Sequence, residues 1–132
     1  MKYKNIFILF FLFLISIVLA ETSKIEKAIE LINSGKYDEA IGILKENNGK
    51  SSILLSIAYL EKKDFINAKK FALESWSQED VLSNYILALI SEEEKDYEQA
   101  IIYWSNVLKN TQDNSLKQLA KKHINVIRKI VR

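Results

Sequence analysis

Few side chains in this 132-residue sequence are of the types that carry chemistry, and their spacing argues against most of it. His123 is the single histidine, and cysteine is absent. A metal site or proton relay that needs two histidines cannot be assembled, and there is no thiol nucleophile. The acidic run Glu92-Glu93-Glu94, followed by Asp96 and Glu98, is the one group that could hold a cation. It lacks the alternating ligand positions of a calcium loop and reads as a solvated helix end. No glycine-rich phosphate loop is present. No catalytic residue, metal ligand or cofactor is therefore expected, and the chain reads as a non-enzyme.

Two further constellations remain. Trp76, Tyr103 and Trp104 could line a ligand pocket, but at helix-face spacing aromatics more often fill a core. His123, beside Ile124 and Ile127, reads as a boundary residue of a packed face. From Leu116 to Arg132 the chain carries Lys117, Lys121, Lys122, Arg128, Lys129 and Arg132 with no acid, opposite Leu116, Leu119, Ala120, Ile124, Ile127 and Ile130. Such a basic amphipathic helix fits membrane contact at an anionic surface, or a cap packed on the preceding helices with its cations in water. The cap is the primary expectation.

The elements that position these residues are set by a recurring phrase. Gly35-Lys36-Tyr37-Asp38-Glu39-Ala40, Lys63-Asp64-Phe65-Ile66-Asn67-Ala68 and Lys95-Asp96-Tyr97-Glu98-Gln99-Ala100 each place an aromatic three residues before an alanine. Apolar residues at helical spacing flank every copy, which predicts helix, tight turn, helix. Ser23 and Glu26 have capping-box spacing for a first helix, ended by Gly35. A second helix spans about 37–47, and Asn47-Asn48-Gly49 breaks the chain. Further helices are expected over about 51–62, from a cap at Asp64 to Trp76, over about 80–93, and from a cap at Asp96 to about 109. The last is expected to open at Ser115, with Gln118 three residues on.

Residues 1–20 have the layout of a secretory signal peptide: Lys2 and Lys4, an apolar run from Ile6 to Leu19, then Val18 and Ala20 as small residues before Glu21. Cleavage after Ala20 and an exported, periplasmic or extracytoplasmic location follow as expectations, with an uncleaved leader acting as an anchor as the alternative. Removing these residues takes Lys plus Arg from 19 to 17, equal to the 17 Asp plus Glu. A neutral chain argues against a nucleic-acid partner. Three glycines and no proline suit a helical protein.

Taken together, the phrase and its flanks resemble the tetratricopeptide repeat family. Leu55, Ser56, Tyr59, Phe65 and Ala68 match the family's pattern without a break. Leu87, Ala88, Tyr97 and Ala100 match with Ser91 in an aromatic's place, and Ala28, Gly35, Tyr37 and Ala40 match with Lys27 and Leu31 as departures. The marker alanines lie 28 and 32 residues apart, against a family period of 34. The resemblance implies an all-α, helix-turn-helix solenoid of about three repeats over residues 21–110, with residues 111–132 as a C-terminal capping helix.

It also implies a concave surface formed by Ile25 and Ile29, Ile53 and Ile57, and Tyr85 and Leu89. All six are apolar, so the expected ligand is a hydrophobic peptide or the face of an amphipathic helix rather than an anionic tail. A scaffold or adaptor role follows. The alternative is that the last helix or a second copy of the chain covers this stripe, giving self-association.

Overall fold

The computed structural model describes residues 2–46 and 51–132, without the side chains of residues 2–11 and 13. The break expected at Asn47-Asn48-Gly49 and the side chains of Lys2 and Lys4 lie outside what is described. Seven helices make up the described chain, and no strand occurs among the described residues. They are α1 (Lys2–Asn33), α2 (Tyr37–Lys45), α3 (Ser52–Glu61), α4 (Phe65–Glu74), α5 (Val81–Glu93), α6 (Tyr97–Asn110) and α7 (Asn114–Ile130). Two compact units result, one holding α1 and α2 and the other Ser52–Arg132. In the first, α1 packs on α2. In the second, α3 pairs with α4 and α5 with α6, α7 lies against α6, and α5 also touches α3 and α4.

One turn joins the helices of all three pairs. Gly35, Lys63 and Lys95, each five residues before a marker alanine, have φ of 74°, 63° and 59°. Behind each, the next amide reaches back to the preceding helix: Lys36 to the Leu31 carbonyl at 2.8 Å, Asp64 to Tyr59 at 2.9 Å, and Asp96 to Ser91 at 2.8 Å. A bond spanning three residues accompanies it each time, from Gly35 to Ile32, Lys63 to Leu60 and Lys95 to Glu92. This pair of bonds satisfies carbonyls that a helix end leaves free. Only the first copy has the glycine that suits a left-handed residue. Lys63 and Lys95 accept a Cβ–carbonyl conflict of roughly 1–2 kcal/mol.

In the second and third pairs the following helix begins on aspartate, whereas α2 begins on Lys36 with no side-chain cap. Asp64 accepts the Asn67 amide at 3.1 Å and Asp96 the Gln99 amide at 3.2 Å, as the sequence predicts. The last helix differs from expectation: Asp113, not Ser115, is its cap, and its carboxylate accepts the amides of Ser115 and Leu116 at 2.7 and 3.1 Å. The first helix differs too. No capping box forms at Ser23 and Glu26, because α1 is already helical upstream and the amides there have carbonyl partners. Thr22 marks the continuity, its hydroxyl donating to the Val18 and Leu19 carbonyls at 2.9 and 3.0 Å.

Small residues let each helix pair approach closely. Ala28, Ser56 and Ala88 on the first helices and Ala40, Ala68 and Ala100 on the second are all fully buried. In the middle pair, the Ser56 hydroxyl donates to the Ala68 carbonyl at 2.8 Å. Leu31, Tyr59 and Ser91, also equivalent by spacing, are buried as well. The first pair breaks the equivalence at one place. Lys27 is exposed where Leu55 and Leu87 are buried, because a charge cannot fill a packing position.

Candidate functional site

The six expected groove residues divide between the units. Ile53 and Ile57 lie half-buried on α3, one turn apart, while the neighbouring Leu55, Ser56 and Tyr59 are buried. Tyr85 and Leu89 lie half-buried on α5, which contacts α3. Both pack partly against the core shared by α5, α6 and α7, whose buried members include Ala88, Trp104, Ala120 and Ile124. The Tyr85 ring meets the Trp104 indole edge-on, with centroids 5.5 Å apart. Thus α3 and α5 bring four of the six onto adjacent helices of one unit, and only the α3 pair lies clear of that core. Ile25 is half-buried and Ile29 is 41% exposed, both in the other unit.

The aromatic residues do not act as a set. Trp104 is fully buried, Tyr103 half-buried and Trp76 42% exposed. Their polar partners explain the division. Trp104 Nε1 donates to Glu92 Oε1, and His123 Nδ1 lies 2.7 Å from that same oxygen. One carboxylate oxygen therefore ties α5, α6 and α7 together. Glu92 reads from sequence as part of a solvated acidic run, and nothing local in the chain shows that it turns inward toward α6. Glu94, two residues on, pairs instead with Lys69 on α4. Among the described residues, no group of three or more His, Asp and Glu side chains converges in a way that could hold a metal ion.

Trp76 belongs to a second polar assembly that the sequence does not announce. Asn84, fully buried on α5, donates from Nδ2 to the carbonyls of Ser77 and Asp80 at 2.9 and 2.6 Å. Its Oδ1 accepts from Trp76 Nε1 at 3.2 Å and Asn106 Nδ2 at 2.9 Å. Asn110 on α6 adds a bond to the Gln78 carbonyl at 3.0 Å. The amide of Asn84 is thereby saturated, and the connection between α4 and α5 is pinned to both helices of the next pair.

On α7, Ala120, Ile124 and Ile127 are buried, whereas Lys121, Lys122, Arg128, Lys129 and Arg132 are exposed. The geometry provides packed helices, an apolar half-buried strip on α3 and a basic outer face on α7. No family model matches the chain, and neither a curated protein nor a solved structure does.

Proposed function

We propose that this chain is an exported interaction module of tetratricopeptide-like repeats, taking an apolar peptide or the apolar face of an amphipathic helix against α3 and α5. The observation that carries this reading is the equivalence of the three helix pairs. The same left-handed turn, the same buried small residues and the same spacing to the marker alanine recur in each. Helix pairs related in this way build surfaces along their first helices, and Ile53 and Ile57 leave such a surface apolar. In this reading residues 21–110 form the repeats and residues 111–132 the cap.

Export rests on the leader. Leu12, Val18 and Leu19 are 55%, 59% and 64% exposed, and the first buried core residue after them is Ala28. An apolar stretch with no cover of its own is what a removable leader leaves on a chain that still carries it. Among the described residues, no helix is long and apolar enough to cross a membrane. Amino-terminal sequencing of the exported chain should begin at Glu21. An intact Met1 in the membrane fraction would replace export by anchoring.

The groove is tested by Ile53→Asp with Ile57→Asp. These two positions are preferred to Leu89 because Leu89 also packs on the core beneath α7. Crosslinking of the exported chain in its own cell should capture a partner, and the double variant should lose it while remaining folded and monomeric. Unfolding, or loss of a dimer present in the parent, would assign the strip to core or self-contact.

A further inference from the structure

Charge is segregated along this chain although its sum after residue 20 is zero. Residues 21–110 hold 11 Lys plus Arg against 16 Asp plus Glu, whereas residues 111–132 hold six against one. The six are Lys117, Lys121, Lys122, Arg128, Lys129 and Arg132. None of their side chains makes a hydrogen bond or ion pair with another described residue, unlike those of Lys24 and Lys69, which have glutamate partners. Five of the six are exposed.

Two of these cations flank a cleft. Ser105 and Leu108 on α6 and Lys121, Ile124, Asn125 and Arg128 on α7 enclose about 290 Å³. Lys121, Asn125 and Arg128 follow each other at intervals of four and three residues, so one side of α7 presents all three together. The buried Ile124 and half-buried Leu108 supply an apolar floor. The Ser105 hydroxyl already donates to the Ile101 carbonyl at 2.6 Å, which leaves the ammonium, the amide and the guanidinium as the free donors. No carboxylate lines the cleft. Two like charges held near one another without a counter-ion favour an oxyanion that can take several donors at once, and the planar guanidinium fork matches phosphate.

We propose that this cleft binds the phosphate of an anionic lipid headgroup and so docks α7 on an anionic bilayer surface. The surroundings favour a lipid over a soluble phosphate. Lys122, Lys129 and Arg132 extend the positive charge beyond the cleft, and each cation near an anionic leaflet adds attraction. Val126, Ile130 and Val131, at 48%, 56% and 57% exposure, offer apolar side chains near the same end of the helix. A soluble ion uses neither feature. The α3 and α5 surface is not involved, so this inference stands or falls separately from the function proposed above.

Flotation of the full chain and its variants with phosphatidylglycerol-containing vesicles and with pure phosphatidylcholine vesicles tests it, since the leader, with its own Lys2 and Lys4, is the same in every variant. Binding should favour the anionic vesicles and weaken as salt is raised. Lys121→Gln with Arg128→Gln should lower anionic-vesicle binding about tenfold or more. Arg128→Lys, which keeps the charge and removes the fork, should give a smaller loss. Lys27→Gln with Lys36→Gln, an equal charge change elsewhere, should leave binding unchanged, with all variants matched by circular dichroism. Equal binding to both vesicles, or equal loss in both double variants, would overturn the proposal. So would saturable binding of inorganic phosphate by a chain that ignores vesicles, or duplex DNA binding as tight as that to anionic vesicles.

Discussion

His123 stacks on Trp104, their ring centroids 4.4 Å apart and their planes within 25°, while a single oxygen of Glu92 faces a nitrogen of each. The last helix is thus joined to the helix pair beneath it by a polar contact as well as by Ala120, Ile124 and Ile127. Replacing Glu92 by alanine leaves the indole N–H of a fully buried tryptophan without its acceptor. Glu92→Ala should cost about 1–3 kcal/mol in urea unfolding. Glu92→Gln, whose carbonyl oxygen can still accept, should cost less.

The turns yield a prediction of the opposite sign. Lys63 and Lys95 hold the conformation that Gly35 adopts in the first pair. Lys95→Gly should therefore stabilise the chain by about 1 kcal/mol, with the loss of Cβ strain outweighing the extra freedom of the unfolded chain. Lys95→Val should destabilise, since a β-branched residue tolerates this region least. Thermal melts of the two variants should bracket the parent.

The marker alanines are packing sites. Ala68 is fully buried, and its carbonyl holds the Ser56 hydroxyl. Enlarging it to leucine should push α3 and α4 apart and cost about 1–3 kcal/mol. A melt unchanged by Ala68→Leu would refute the register that pairs these helices.

Acid should loosen the α4 cap. The Asn67 side chain and then its backbone amide hydrogen-bond to Asp64 and hold the carboxyl below its ordinary value, with Lys62 adding a smaller effect. A carboxyl whose value is lowered on folding stabilises the fold above its unfolded value, and that contribution fades as pH falls through the folded value. The difference in melting temperature between the parent and Asp64→Ala should accordingly be constant near neutrality. It should shrink below about pH 4. A difference that grows in acid would contradict the cap.

Much of the helical framework is legible in the sequence because its signals are local. The aspartates at 64 and 96 sit directly before apolar runs, and the aromatic–alanine spacing sets which face turns inward. The rest depends on partners far along the chain. Asn84 looks like an ordinary polar residue until Trp76 and Asn106 are brought to it, and Glu92 is one of three adjacent glutamates until α6 and α7 supply its donors. Ser115 reads as a cap because Gln118 follows it, but Asp113 lies close enough to take the amides of Ser115 and Leu116 and carries the charge that favours a helix start. For the candidate surfaces, the i, i+4 pairs on α3 and α5 could be read directly. The partial cover of Tyr85 and Leu89 could not, because it comes from the core shared with α6 and α7. The basic spacing on α7 was equally plain, whereas the α6 wall that turns it into a cleft was not.

The saturated amide of Asn84 makes the junction between the α3–α4 pair and the α5–α6 pair a fixed joint rather than a hinge. Bending there would strand several buried donors and acceptors at once, a larger penalty than sliding one apolar side chain past another. A ligand lying across α3 and α5 would meet a surface whose curvature is set before it arrives, so its affinity need not be reduced by ordering the protein. Extending the chain by copying one helix pair would reproduce this geometry only if the counterparts of Asn84, Asn106 and Asn110 travelled with it. In that sense three asparagines act as the adaptor plate by which the connection after α4 is bolted to the helix pair that follows it.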